Sequence, residues 1–125
     1  MLSESDHKLI ETVLAAWNSQ DVEQVVGCYT PDCQYRDPNT RGVVVGRDAL
    51  RRYLTKLFLN WKMTWTLREY FQFGQTDGGA FLWKATLAPA SGGPAKNVEG
   101  MDLVVLRDGK LARNEVYFDR AALFS

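Results

Sequence analysis

The sequence predicts an α+β fold in which a curved sheet wraps around helices and leaves an apolar pocket between them. Three observations carry this expectation. Apolar residues recur at spacings of three and four in three stretches before Trp61, the period changes to two at Trp61, and turn residues divide the second half of the chain into four runs. A chain of 125 residues is expected to form one domain over residues 1–125. That length buries roughly two thirds of the surface an unfolded chain exposes and leaves room for one cavity.

Ser3 and Asp6 form a weak capping box ahead of Ile10, Val13, Leu14 and Trp17, which share one stripe of a helix from about Glu4 to Asn18. Asp21 caps a second, short helix whose apolar positions are Val22, Val25 and Val26 and which ends near Gly27 or Tyr29. Cys33, Tyr35 and Asp37 then share one face of a short strand, and Pro38 breaks it. After a polar loop, Gly46 and Asp48 introduce a third helix with Leu50, Leu54, Leu57 and Phe58 inward and Arg47, Arg51, Arg52 and Lys56 as its wet side. From Trp61, the residues Trp61, Met63, Trp65, Leu67, Phe71 and Phe73 alternate with polar ones, which predicts a long strand with one apolar face. Glu69 falls on the apolar parity, so a bulge or a place at the rim of the core is expected there. The turn Thr76–Gly79 leads to a strand with Phe81, Trp83, Ala85 and Leu87 on one face. The loop Pro89–Pro94 leads to a run from Asn97 to Leu106 that suits a central strand covered on both sides, and Asp108-Gly109 turns the chain into Lys110–Asp119 and a short apolar tail.

Fifteen basic and fifteen acidic residues balance, and no run of like charge recruits nucleic acid or an anionic membrane. The polar N-terminus and the lack of any apolar run of bilayer length lead to the expectation of a soluble, cytoplasmic protein. Cys28 and Cys33, five apart, lie outside zinc and redox spacings and are read as reduced packing residues. A single histidine, His7, rules out a His-based triad or a multi-histidine metal site within one chain, so no metal and no cofactor is expected.

The most informative stretch is Cys28–Leu57, because it sets one carboxylate, Asp37, where a strand ends at a proline. Asp37 either opens the turn Asp-Pro-Asn-Thr or faces the pocket. Asp102 interrupts the apolar run Met101–Leu106 and needs a reason to be there. Trp17, Tyr35, Leu54, Phe58, Trp65, Trp83 and Phe118 are the candidate pocket residues.

The order of elements, the segment Tyr-x-Pro-Asp-Cys-x-Tyr-x-Asp-Pro, the helix start Gly-Arg-Asp-Ala-Leu and the closing Asp-Gly-Lys-Leu-x-x-Asn-Glu-Val-Tyr-Phe-Asp resemble the nuclear transport factor 2-like superfamily. The likeness spans essentially the whole chain and is greatest to its SnoaL-like polyketide cyclase and ketosteroid isomerase branches. It implies a cone-like mixed sheet around three N-terminal helices, a small hydrophobic carbonyl ligand, isomerisation or cyclisation by proton transfer, and a homodimer. The dimer would form through the outer sheet face, where Lys62, Thr64, Thr66, Lys84 and Thr86 lie. A binding or dimerisation module with the same cavity and no chemistry is the alternative. Asp37 resembles the isomerases' general base, and Asp102 the neutral acid of their oxyanion hole. Such a donor must favour its protonated form by roughly 4 kcal/mol more than an ordinary aspartate does. The isomerases' first-helix tyrosine has no counterpart among Val13, Leu14 and Trp17. Asp119 resembles the acid that SnoaL-like cyclases carry on the last strand, although its parity turns it outward if Asn114, Val116 and Phe118 face the pocket. A cap or an ion pair with Arg120 or Arg113 is its other reading. The Asp-Arg-Asp arrangement of limonene-type epoxide hydrolases would draw on Arg36 or Arg113 beside Asp37.

Overall fold

The computed structural model describes residues 4–124. Ser3, the expected first cap, lies outside them. Helix α1 (Glu4–Ser19) buries Ile10, Val13, Leu14 and Trp17 along one stripe, as its periodicity predicts. Helix α2 (Val22–Val26) begins where the Asp21 carboxylate accepts the N–H groups of Glu23 and Gln24 at 3.0 and 3.2 Å.

Strand β1 (Tyr29–Arg36) starts four residues earlier than its alternation suggests. A two-residue strand, β2 (Val44–Val45), pairs antiparallel with it from within the expected loop. Helix α3 (Arg47–Asn60) buries Leu50 and Leu54. Arg47 does not join its wet side: the guanidinium lies against β1 and donates to the Tyr29 carbonyl from Nε at 2.9 Å and from Nη2 at 2.5 Å. Four long strands complete the chain as a meander: β3 (Trp61–Gln72), β4 (Gly78–Pro89), β5 (Lys96–Arg107) and β6 (Lys110–Phe118). A 3-10 turn, Arg120–Phe124, follows.

The six strands form one mixed sheet in the order β2-β1-β6-β5-β4-β3, with β1 parallel to β6 and every other pair antiparallel. Asp108 and Gly109, at φ of 53° and 73°, make the tight β5–β6 turn that their sequence predicts. The register of β3 on β4 slips between Leu67 and Glu69, so the bulge expected near Glu69 is present. The slip has a consequence that simple alternation misses. It turns Tyr70 into the core and leaves Phe71 52% exposed, the reverse of the expected parity.

Strand β3 is an edge, and α1 covers the part of it that matters for the site. The Asn18 amide donates to the Trp65 carbonyl at 3.0 Å and accepts the Trp65 N–H at 2.7 Å. Gln20 does the same with the Trp61 carbonyl at 2.9 Å and the Met63 N–H at 2.7 Å. Two side-chain amides thus replace a neighbouring strand and tie the end of α1 across the mouth of the cone. Gln20 adopts φ of 54° to do so, at a position after a helix where glycine is usual.

Strand β5 is central, yet only its inner side is covered within one chain. Val98, Val104 and Leu106 are buried, whereas Met101, Leu103 and Val105 on the outer side stay half-exposed. Gly100 sits between Trp83 and Phe118 in the sheet register. A Cβ there would lie 2.5 Å from Trp83 Cζ2 and 2.6 Å from the Tyr117 carbonyl oxygen. The absent side chain is the space in which the Trp83 indole rests. Gly100→Ala is therefore expected to destabilise the fold by about 2 kcal/mol, an overpacking cost, and urea unfolding checks it. An unchanged midpoint would mean that Trp83 is free to move.

Candidate active site

The inner faces of β1 and of β3 to β6, closed over by α1 and the Leu57 end of α3, enclose a narrow cleft of about 50 Å³. All four tryptophans of the chain line it, Trp17, Trp61, Trp65 and Trp83, with Tyr35, Phe81 and Phe118. Five of these rings, with Tyr53, touch in an unbroken series. Phe118 meets Trp83 at 5.9 Å between centroids, Trp83 meets Trp65 edge-on at 4.7 Å, Trp65 meets Trp17 at 6.1 Å, Trp17 stacks on Tyr35 at 5.9 Å, and Tyr35 meets Tyr53 at 5.8 Å. Edge and offset contacts of this kind add about 0.5–1.5 kcal/mol per pair beyond burial, so the wall is stiff.

Among the described residues two carboxyl groups face this cleft, Asp102 beside Trp83 and Asp37 beside Tyr35 and Tyr53. Asp102 lies on the inward parity of β5, opposite Phe81 on β4 and Val116 on β6. Its Oδ1 accepts the Trp83 indole N–H at 2.7 Å, and its Oδ2 accepts the Asn114 amide at 2.9 Å. Asn114, itself buried, has its amide oxygen held by the Tyr29 hydroxyl at 2.7 Å, which fixes its NH₂ toward Asp102. Burial pushes the Asp102 carboxyl up from 3.8 to about 7. The bonds from Asn114 and Trp83 oppose that rise, and the nearby charge of Asp37 adds to it. Both protein partners of Asp102 are donors, so a proton on Asp102 is held in neither of these bonds and is available to a ligand in the cleft.

Asp37, just past the end of β1, divides its two oxygens between two tasks. Oδ1 accepts the N–H groups of Asn39 and Thr40 at 2.7 and 3.1 Å, the Asx turn that the Asp-Pro-Asn-Thr sequence allows. Oδ2 accepts two phenols, Tyr35 from β1 at 2.6 Å and Tyr53 from α3 at 2.5 Å. Burial, followed by the Asp37 charge, pushes both phenols above the ordinary tyrosine value and keeps them as donors. The turn reading and the pocket reading of Asp37 are thus both realised, one on each oxygen.

Of the remaining expected residues, Trp17, Tyr35, Trp65, Trp83 and Phe118 line the cleft, but Leu54 and Phe58 do not. Leu54 is wholly buried beneath the wall and Phe58 packs edge-on against Trp17 at 5.8 Å; the helix phase brings Leu57 to the cleft instead. Asp119 is exposed and off the cleft, and its carboxylate accepts the Ala121 N–H at 3.0 Å as the cap of the closing turn. Parity along β6 turns it away, since Val116 and Phe118 face inward. The epoxide-hydrolase arrangement is not assembled either: Arg36 is exposed, and Arg113 pairs with Glu115, which shares its outward parity on β6.

Tyr53 was not among the expected site residues, although its signal is in the sequence. It lies three after Leu50 and four before Leu57, on the stripe that α3 turns inward. Among the described residues two buried side-chain polar atoms have no hydrogen-bond partner, Trp65 Nε1 on the cleft wall and Tyr70 Oη. Burial raises the Tyr70 phenol to about 12.

An aromatic cone of mixed sheet around three helices, with acids on its inner wall, defines a protein of the nuclear transport factor 2-like class. The profile of the SnoaL-like domain matches residues 10–114, and the chain belongs to that family. TerC co-crystallised with polyporic acid shares the fold with a TM-score of 0.83 at 20% identity, over 97% of this chain and 96% of that one. A protein of ketosteroid isomerase-like fold from Catenulispora acidiphila, in complex with trimethylamine, gives 0.82 at 13% identity over 91% and 87%. The epoxide hydrolase/cyclase-like enzyme SalBIII, of pyran ring formation in the polyether salinomycin, gives 0.81 at 17% identity over 94% and 92%. At these identities the likeness concerns the fold alone. No curated protein matches the chain.

The Asp102 carboxyl ties stability to pH. It holds its proton up to about 7 when folded, against 3.8 for the ordinary group. Its contribution is complete below about pH 4, where both states are protonated, and is lost as pH rises through 7. The loss amounts to something on the order of 4 kcal/mol. Urea titrations from pH 4 to 8 are expected to show this decline in the wild type, and to show that component missing in Asp102→Asn. A difference between the two proteins that stays constant across the range would mean that Asp102 is ionised throughout.

Proposed function

We propose that this protein is a small cofactor-free enzyme that moves a proton on a hydrophobic carbonyl compound held in the cleft, in an isomerisation or a ring closure. One observation carries the reading: a carboxyl on the wall of an aromatic cleft, Asp102, has only donors as protein partners and takes up its proton near neutral pH. A group so poised gives or accepts a proton at little cost at pH 7. Neutral Asp102 donates to the carbonyl oxygen and stabilises the enolate that forms when the adjacent carbon loses its proton.

Asp37 is the base in this scheme, and its saturation sets a condition on it. A lone pair on Oδ2 opens only when Tyr35 or Tyr53 turns its hydroxyl away. The phenol that turns can donate to the substrate, so one movement frees the base and supplies the phenol that the first helix lacks. The proton taken by Asp37 returns to another carbon of the same molecule, and no oxidant or metal enters the balance. A cytoplasmic setting fits the neutral charge and the two free thiols.

The test is hydrogen–deuterium exchange at the α-carbon of a flat cyclic ketone such as 2-tetralone, followed by proton NMR in D₂O. Wild type is expected to accelerate exchange, Asp102→Asn to slow it roughly a hundredfold or more, and Asp37→Asn to abolish it while sparing binding of the ketone. Binding without exchange by the wild type would leave a ligand-binding module, the reading that the fully bonded Asp37 favours.

We also propose that two copies associate through the outer sheet face, at its apolar end rather than at the Thr64, Thr66, Lys84 and Thr86 end. Tyr117 (44% exposed) and Phe71 flank half-exposed Leu82, Met101 and Leu103 in adjacent register. A second copy covers the outer side of β5, whose apolar run the single chain leaves open. Sedimentation is expected to give a dimer for the wild type and a monomer for Leu103→Glu; a monomeric wild type at micromolar concentration removes this proposal.

A further inference from the structure

The ionisable groups on the cleft wall carry one sign. Asp37 and Asp102 line it, and among the described residues no lysine, arginine or histidine does. This is not a consequence of overall composition, because the chain is neutral with fifteen residues of each charge. The basic residues around the site are directed elsewhere: Arg36 and Arg41 are exposed, Arg47 is held on the Tyr29 carbonyl, Arg107 is paired with Asp32 and Arg113 with Glu115, and Arg120 donates to the amide oxygen of Asn39 at 2.9 Å, beside the cleft and on neither acid's carboxyl. Among the described ion pairs none includes Asp37 or Asp102. Every protein group bonded to their carboxyl oxygens is a neutral donor: phenol, indole, amide or backbone N–H.

We infer that the cleft selects ligands that carry a positive charge, an ammonium or quaternary ammonium group attached to an apolar body, and rejects carboxylates. The inference rests on the reading that the cleft is the binding site and concerns which compounds enter it, not which bond they change. Two carboxyls without a counter-ion in a poorly solvated cleft gain from a cation and repel an anion. The four tryptophan rings add faces that attract a cation, and they keep the apolar body out of water. An uncharged carbonyl compound is admitted, but without the charge interaction.

The charge state of Asp102 couples this selectivity to pH. The groups that face Asp102 are Tyr29 and Asp37 from β1 and its end, Trp83 from β4 and Asn114 from β6. Of these only Asp37 bears charge, since burial keeps Tyr29 protonated. Below pH 7 a cation has to displace the Asp102 proton; above it the carboxylate is already formed.

Benzylammonium, benzyl alcohol and benzoate are similar in shape and differ in charge, and tryptophan fluorescence reports their binding. At pH 8 benzylammonium is expected to bind roughly tenfold tighter than benzyl alcohol, and benzoate weaker than both. The cation preference should shrink as pH falls from 8 to 5.5. Asp102→Asn should lose most of it while still binding benzyl alcohol, whereas Asp119→Asn, altered off the cleft, should keep it. Equal or tighter binding of benzyl alcohol or benzoate, a preference retained in Asp102→Asn, or no binding of any of the three overturns the inference. Ketone exchange without cation preference would end this inference and leave the proton-transfer reading standing; cation preference without exchange would do the reverse.

Discussion

The structure turns on keeping an aspartate inside a cone of aromatic rings. Removing Asp102 from water disfavours its charge, and among the described residues the compensation comes from two neutral donors, the Trp83 indole and the Asn114 amide. Each donor has its own support. Trp83 occupies space that exists because residue 100 is glycine, and Asn114 is held in one amide orientation by Tyr29. Remote positions on β1, β5 and β6 therefore set the chemistry of one carboxyl on the wall.

The second acid is handled differently. Asp37 sits at a strand end beside a turn, and four donors converge on it. Its oxygens separate an architectural duty, closing the Asx turn, from an interaction with two phenols at the cleft. The rings from Trp83 through Trp65 and Trp17 to Tyr35 link the hydrogen-bond partners of the two acids, so packing that stiffens the wall also positions those partners. The clamp of Asn18 and Gln20 on the backbone of Trp61, Met63 and Trp65 ties the end of α1 to the β3 edge and keeps Trp17 against Trp65 within this series.

Much of the fold is legible from residue patterns, because helix and strand periodicity are local. The stripe of α1, the Asp21 cap, the Asp108-Gly109 turn and the alternation of β4 all depend on neighbours within a few positions. The errors share a cause. A bulge near Arg68 shifts the parity of β3 by one, so Tyr70 rather than Phe71 is buried. The phase of α3 brings Leu57 instead of Leu54 to the cleft, a rotation too small for spacing alone to resolve. Parity does succeed for Asp119, where the outward position it implies is the one found.

By itself the sequence determined the order of elements, the inward stripes and the presence of isolated acids at a strand end and within an apolar strand, since each is a matter of local spacing. Only the tertiary structure decided that Tyr35 and Tyr53 meet on one oxygen of Asp37 and that Tyr29, Asn114 and Asp102 form a line. The physical reason is sheet order. Strand β1 lies parallel to β6, which brings Tyr35 opposite Asn114 and sets residues some eighty positions apart within hydrogen-bond reach. No local period encodes that adjacency, which follows from how the whole sheet closes around its helices.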